Sequence, residues 1–206
     1  MPSVHQSIVS QIEKLSAGTI LFPTDFRGTG SEDAIRKTLS RLTNENTIER
    51  LAHGIYQIPK IHPTFGKLHP SMEEIAEAVA AREHIRIRPA GAYALNKLGL
   101  STQVPTKLVY ITDGQARQIN VGHGSIKFKS VPPKKFGMKG PVSSLLIQAL
   151  EEIKESQLNS QLKMQICQLL KQESRENLMH DLRLAPARVN DLIINLLKED
   201  GNEPVA

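Results

Sequence analysis

The chain has no tryptophan, a single cysteine (Cys167), and only eight other aromatic rings, five Phe and three Tyr. Each scarcity excludes something. One cysteine cannot form an intramolecular disulfide, so the sequence predicts a reducing compartment and a cytoplasmic location. So few rings argue against an aromatic cage around a large ligand. No run of about eighteen uncharged apolar residues occurs, which predicts no membrane span. The opening MPSVHQSIVSQIEKL lacks a basic stretch followed by an apolar block and a cleavage site. It reads as mature protein, not as a signal peptide.

What is present suits a globular chain. Its 206 residues are 39% hydrophobic and 23% charged, enough for one medium domain or two small ones. Lys and Arg number 26 against 21 Asp and Glu, a net charge of +5. The excess is uneven. Residues 1–69 hold 8 basic and 6 acidic side chains, residues 70–141 hold 11 and 5, and residues 142–206 hold 7 and 10. A basic first two-thirds and an acidic end predict a polyanion-facing surface backed by a helical packing portion.

The periodicities predict an α+β fold in three parts: an N-terminal winged helix-turn-helix (1–60), a small mixed α/β second domain (70–140) and a helical C-terminus (141–206). Val4, Ile8, Ile12 and Leu15 recur at helical spacing, in a helix that Gly18 is expected to end. Thr19–Phe22 is a short β-prone run, and Pro23-Thr24-Asp25 starts a helical turn. Ser31 is placed to cap a longer helix whose apolar side is Ile35, Thr38, Leu39 and Leu42. After Asn46 the period shortens to two. Thr47–Leu51 and Ile55–Ile58 read as strands joined by Ala52-His53-Gly54. Helix, strand, short helix, longer helix and hairpin in about sixty residues is the order of a winged helix-turn-helix.

Residues 60–69, KIHPTFGKLH, read as a linker. Ser71 and Glu74 have capping-box spacing ahead of a helix carrying Ile75, Ala78 and Val79. Ile85–Arg88 alternates as a strand, and Pro89 is expected in the first turn of a helix running to Leu98 and ended by Gly99. Strands are expected at 107–112, 116–121 and 125–131, with Asp113-Gly114 and Gly122-His123-Gly124 as hairpin turns between them. Three apolar stripes follow. They are Val142, Leu145, Leu146, Ala149, Leu150 and Ile153; then Leu158, Leu162, Ile166, Leu169 and Leu170; then Val189, Leu192, Ile193, Leu196 and Leu197, in a helix begun by Pro186 and ended by Gly201. Residues 174–198 also allow a second helix-turn-helix with Arg183 and Arg188 exposed, against which the acidic net charge of that region argues.

DNA presents dense phosphate charge, so a reading helix needs cations and small polar groups on its outer face. Arg36, Lys37, Ser40, Arg41 and Asn44 supply them, and Arg50 and His53 sit in the expected wing. The competing view is a solvated face held by surface pairs such as Asp33 with Lys37. Arg86, Arg88, Lys127 and Lys129 alternate with apolar residues and form a possible second basic surface. Here the competing view is a sheet whose cations guard an exposed side.

Enzyme chemistry finds little support. None of the seven His residues has zinc-ligand spacing, and no metal or cofactor is expected. Gly28-Thr29-Gly30 and Gly122-His123-Gly124 lack the Lys-Ser/Thr of a phosphate loop. Cys167 lies among Ile166, Leu169 and Leu170 and reads as a small core residue.

Phe22–Phe26, Ala34–Leu42, Ile48-Glu49-Arg50 and Gly54-Ile55-Tyr56 together resemble the N-terminal domain of AbiEi-type antitoxins, with RKxLSRL (36–42) and GIYxxP (54–59) the most specific parts. Ala92–Leu100 and Val109–Gly114 look like the second part of such proteins, and the resemblance covers residues 3–135. It implies a transcriptional regulator of a type IV toxin–antitoxin system. The winged helix would bind double-stranded DNA at its own operator and repress transcription, as a monomer or homodimer. The second part would counter a nucleotidyltransferase-like toxin without a stable complex. A protein- or RNA-interaction module using a winged helix without specific DNA readout is the alternative.

Overall fold

The computed structural model describes residues 2–153 and 157–199 and is a mixed α+β protein. The described residues divide into two compact units. One runs up to Val79 and includes Ile119–Gly124; the other comprises Ala80–Gln118 and the described residues from Ser125 onward.

The first unit opens with α1 (Val4–Ile12), fixed by a capping box. Ser3 Oγ accepts the Gln6 amide, and Gln6 Oε1 accepts the Ser3 amide. β1 (Ile20–Leu21) and a 3-10 turn (Pro23–Phe26) follow. Ser31 caps α2 (Glu32–Asn44) as expected, accepting the Ala34 amide. Asn46 ends α2 in the left-handed region at φ 58°, a conformation Asn tolerates better than most residues. β2 (Glu49–Ala52) and β3 (Ile55–Gln57) form the expected hairpin, and β1 pairs on the other side of β3 in an antiparallel sheet of order β1-β3-β2. Ile8, Leu21, Phe26, Ile35, Leu39, Leu42 and Ile48 bury together beneath it.

Residues 60–69 are not a linker. β4 (Lys60–His62) and β5 (Gly66–Leu68) pair antiparallel into a ribbon, with Lys60 opposite Leu68 and Ile61 opposite Lys67. The turn closes because His62 Nδ1 accepts the amides of Thr64 and Phe65, and Gly66 takes φ +71°. Strands of three residues are too short for alternation to reveal. α3 (Met72–Glu83) starts with the expected capping box between Ser71 and Glu74.

Beyond α3 come β6 (Ile87–Pro89), α4 (Gly91–Lys97), β7 (Lys107–Thr112), β8 (Arg117–Val121) and β9 (Gly124–Ser130), of which Ile119–Val121 and Gly124 belong to the first unit. Two expectations are corrected here. Pro89 belongs to β6, and α4 begins only at Gly91. An edge strand can hold a proline because its missing donor removes no ladder bond, and β6 is at the sheet edge. The sheet order is β6-β7-β9-β8, so Asp113-Gly114 does not close a hairpin between β7 and β8. β7 pairs parallel with β9, placing Leu108 beside Ile126 and Tyr110 beside Phe128, all four buried. Asp113 instead accepts the Arg86 amide and Nε, both at 2.7 Å.

The remaining helices are α5 (Pro141–Leu150), α6 (Ser160–Leu170), α7 (Arg175–Leu182) and α8 (Ala187–Glu199). All three expected stripes contribute to one core, which includes Leu146, Leu150, Ile166, Leu170, Val189 and Ile193. Cys167 is buried there, as expected. α7 buries Leu178 and Leu182 there with Met179 packed alongside, too short a run to show as a stripe. Gly201, the expected end of the last helix, lies outside the described residues. Arg183 and Arg188 are exposed, as expected, but Arg188 is engaged within its own unit. Its guanidinium donates to the carbonyls of Leu150, Glu151 and Ile153 and closes the C-terminus of α5, where a cation is favoured.

Candidate nucleic-acid interface

An α-helix advances about 100° per residue, so α2 sorts its side chains by angle. Ile35, Thr38, Leu39 and Leu42 gather on one side and are buried. Arg36, Lys37, Ser40, Arg41 and Asn44 take the opposite side, and all five are exposed. Ser40, Asn44 and Lys37 run along the middle of that outer face. Arg36 and Arg41 flank it, about 140° apart around the axis and roughly 7.5 Å apart along it.

The β2–β3 turn rises beside the Arg36 edge. Gly54 takes φ +71° there, which lets the strands reverse in two residues. The Arg50 guanidinium folds back over this turn. Its Nε donates to the Ala52 carbonyl at 3.4 Å, and a terminal nitrogen donates to His53 Nδ1 at 3.1 Å. Between helix and turn lies an open groove of about 500 Å³ lined in part by Arg27, Arg36, Ser40, Arg50 and His53. Four residues expected at the site are therefore brought together. Lys37, Arg41 and Asn44 stand on the outer face beyond the groove.

Arg27 was missed by sequence reasoning. It is exposed, just after the 3-10 turn and before Gly28, and only the packing of that turn against α2 brings it to the groove. Glu32 was also unassigned. It lines the groove and pairs with Arg36 at 3.2 Å, in place of the anticipated pair of Asp33 with Lys37. Both partners are exposed (66% and 77%), so separating them costs about 1 kcal/mol at most.

The second basic surface is mostly engaged within its own unit. Arg88 donates to the carbonyls of Lys135 and Met138. Burial lowers its pKa, although the Asp181 charge works the other way. Arg86 pairs with Asp113 and stacks over Phe136 at 4.8 Å. Lys129 pairs with Glu152. Lys127 is half-buried on the same strand.

A different polar cluster had no sequence signal. Gly140 offers α5 no side-chain cap, so carboxylates from elsewhere satisfy its first amides. Asp181 is fully buried and accepts the amides of Lys139 and Gly140 and the Ser143 hydroxyl at 2.6 Å, with His180 Nδ1 3.0 Å away. Glu173 accepts the amides of Val142 and Ser143. Burial alone would raise both carboxyl pKa values, but the converging donors lower them. The serine meets the carboxylate, not the imidazole, so this is a helix cap and not a nucleophile–base pair. Among the described residues, no group of three or more His, Cys, Asp or Glu could hold a metal ion. No helix among them is long and apolar enough to cross a membrane.

A family model matches residues 7–178, most of the chain. The chain belongs to DUF6088, a family of unknown function. No curated protein matches the sequence. The family match spans the α2 face, the β2–β3 turn, the β4–β5 ribbon and Ser143 and Glu173 of the α5 cap, but not Asp181 or α8.

Proposed function

We propose that the first unit is a winged helix-turn-helix that binds double-stranded DNA, with α2 as the reading helix and the β2–β3 turn as the wing. The observation that carries this reading is the outer face of α2. Two small polar residues, Ser40 and Asn44, share its centre with Lys37, and Arg36 and Arg41 stand on the two flanks. A helix seated in a major groove needs that distribution, because its centre faces base edges while its flanks face phosphates on the two walls. Arg36 and Arg41 take the walls, Lys37 supports them, and Asn44 is suited to an adenine edge. Arg50, His53 and Arg27 hold the adjacent sugar-phosphate strand in the groove beside the helix.

The resemblance to AbiEi-type antitoxins extends the proposal. The protein then represses its own operon in the cytoplasm, and the second unit counters a nucleotidyltransferase-like toxin. Footprinting on the gene's own promoter tests the first part. Protection of a short repeated sequence is the expected result, and uniform or absent protection refutes it. Co-expression with the neighbouring gene product tests the second. If that product is toxic alone and the full chain does not relieve the toxicity, the antitoxin assignment fails.

A further inference from the structure

From Arg50 to Met72 the chain contains no Asp or Glu, while Arg50, Lys60, Lys67 and the histidines 53, 62 and 69 all fall in that stretch. The wing accounts for its first part. Its second part is the β4–β5 ribbon, which has no role in the reading above. The ribbon carries two of the most exposed large apolar side chains among the described residues, Ile61 (71%) and Phe65 (76%). Neither helps the core.

Their setting is built. His62 Nδ1 accepts the Thr64 and Phe65 amides and fixes the tip. The His62 ring lies against one side of Phe65, with centroids 4.9 Å apart, and Pro63 is exposed beside it. Ile61 is paired in register with Lys67, so one side of the ribbon presents a cation next to an apolar group. At the base, Gln57 donates to the Leu68 carbonyl and ties the ribbon to β3. The nearby carboxylates are also at the base: Glu49 lies 3.6 Å from His69, and Glu74 caps α3 and feels the Lys60 charge. The tip, His62 to Gly66, carries no carboxylate.

We propose that this ribbon is a second DNA contact, whose tip enters a minor groove and wedges Phe65 into a base step. A polyanion with flat apolar faces between its charges satisfies both halves of the ribbon at once. Phe and Pro wedges on basic supports are a known means of unstacking a step and bending a duplex. Phe65 supplies the wedge, His62 braces it, and Lys60 and Lys67 meet the flanking phosphates. The inference rests on the DNA-binding reading of the same unit, since it needs the duplex to be held there.

The chain lacks tryptophan, so Phe65→Trp installs a single fluorescent reporter in the full-length protein. It is titrated with a 30-base-pair duplex from the gene's upstream region, alongside a gel shift. The expected result is strong quenching of the Trp emission, saturating at the concentration where the shift saturates. Phe65→Ala is expected to bind about tenfold more weakly, the scale of one lost base–aromatic stack. Phe65→Trp is expected to bind like the parent. A shift by the parent without quenching of the Trp variant overturns the wedge and leaves the α2 reading standing. No shift by the parent overturns both. A blue-shifted emission on phosphatidylserine vesicles, with no response to DNA, assigns the ribbon to a membrane surface and also overturns the wedge. Dissociation of a dimer by Phe65→Ala with unchanged DNA affinity does the same in favour of a second copy.

Discussion

If Arg36 and Arg41 hold phosphates on opposite walls of a groove, replacing both with Ala must change how binding depends on salt. Each phosphate contact releases condensed counterions and contributes about 0.9 to the slope of log K against log salt. Losing two contacts lowers the magnitude of the slope by about 1.8. Between 50 and 200 mM salt, the deficit of the double variant should therefore shrink by about tenfold, because the parent loses more affinity than the variant. Both side chains are exposed, and the Arg36–Glu32 pair is a surface contact, so stability should change by no more than about 1 kcal/mol. The assay is fluorescence anisotropy on the upstream duplex at four salt concentrations, with thermal unfolding as the control. Parallel lines for parent and double variant refute the assignment of α2. A steeper change from Lys127→Ala with Lys129→Ala would move the interface to the second unit.

Other expectations follow from the same geometry. Asn44→Ala should leave the salt slope unchanged but relax preference at one base pair by about 1–3 kcal/mol, measured by binding to single-base operator variants. Gly140→Ala should destabilise the second unit by about 2–3 kcal/mol in urea unfolding. A Cβ there would sit 2.1 Å from Ser143 Oγ and 2.5 Å from Glu173 Oε2, forcing the α5 cap apart. Acid should act through that same cap. Asp181 and Glu173 have pKa values lower in the folded chain than unfolded, so the unfolded chain binds more protons as pH falls. Their contribution is complete above about pH 5 and is lost progressively below about pH 4, as each folded-state pKa is crossed. Urea midpoints at pH 7 and pH 3 measure it. Asp181→Asn should lower the pH 7 midpoint and flatten the acid dependence, and an unflattened curve would place the sensitivity elsewhere.

The candidate face was legible in the sequence because a helix encodes its own sides. The spacing of Ile35, Leu39 and Leu42 fixed which residues of α2 turn inward, and the five polar residues between them had to turn out. Capping at Ser31 and Ser71 was legible for a similar reason, since donor and acceptor are three residues apart. Arg27 was not legible as part of the groove, because its place depends on how a 3-10 turn packs against α2. The ribbon at 60–68 was hidden by strands too short to show alternation and by Pro and Gly, which serve a turn as well as a linker.

By itself, the sequence determined the local elements, their buried sides and the uneven charge, all properties of residues within a few positions of one another. The tertiary structure alone decided the rest. It set β7 beside β9 and not β8, because matching Leu108 and Tyr110 to Ile126 and Phe128 buries four side chains at once. It also brought Asp181 and Glu173 to the start of α5, where buried amides without a local cap need acceptors from distant residues. Burial and amide satisfaction are settled between segments far apart in the chain, and no local pattern records which segments will meet.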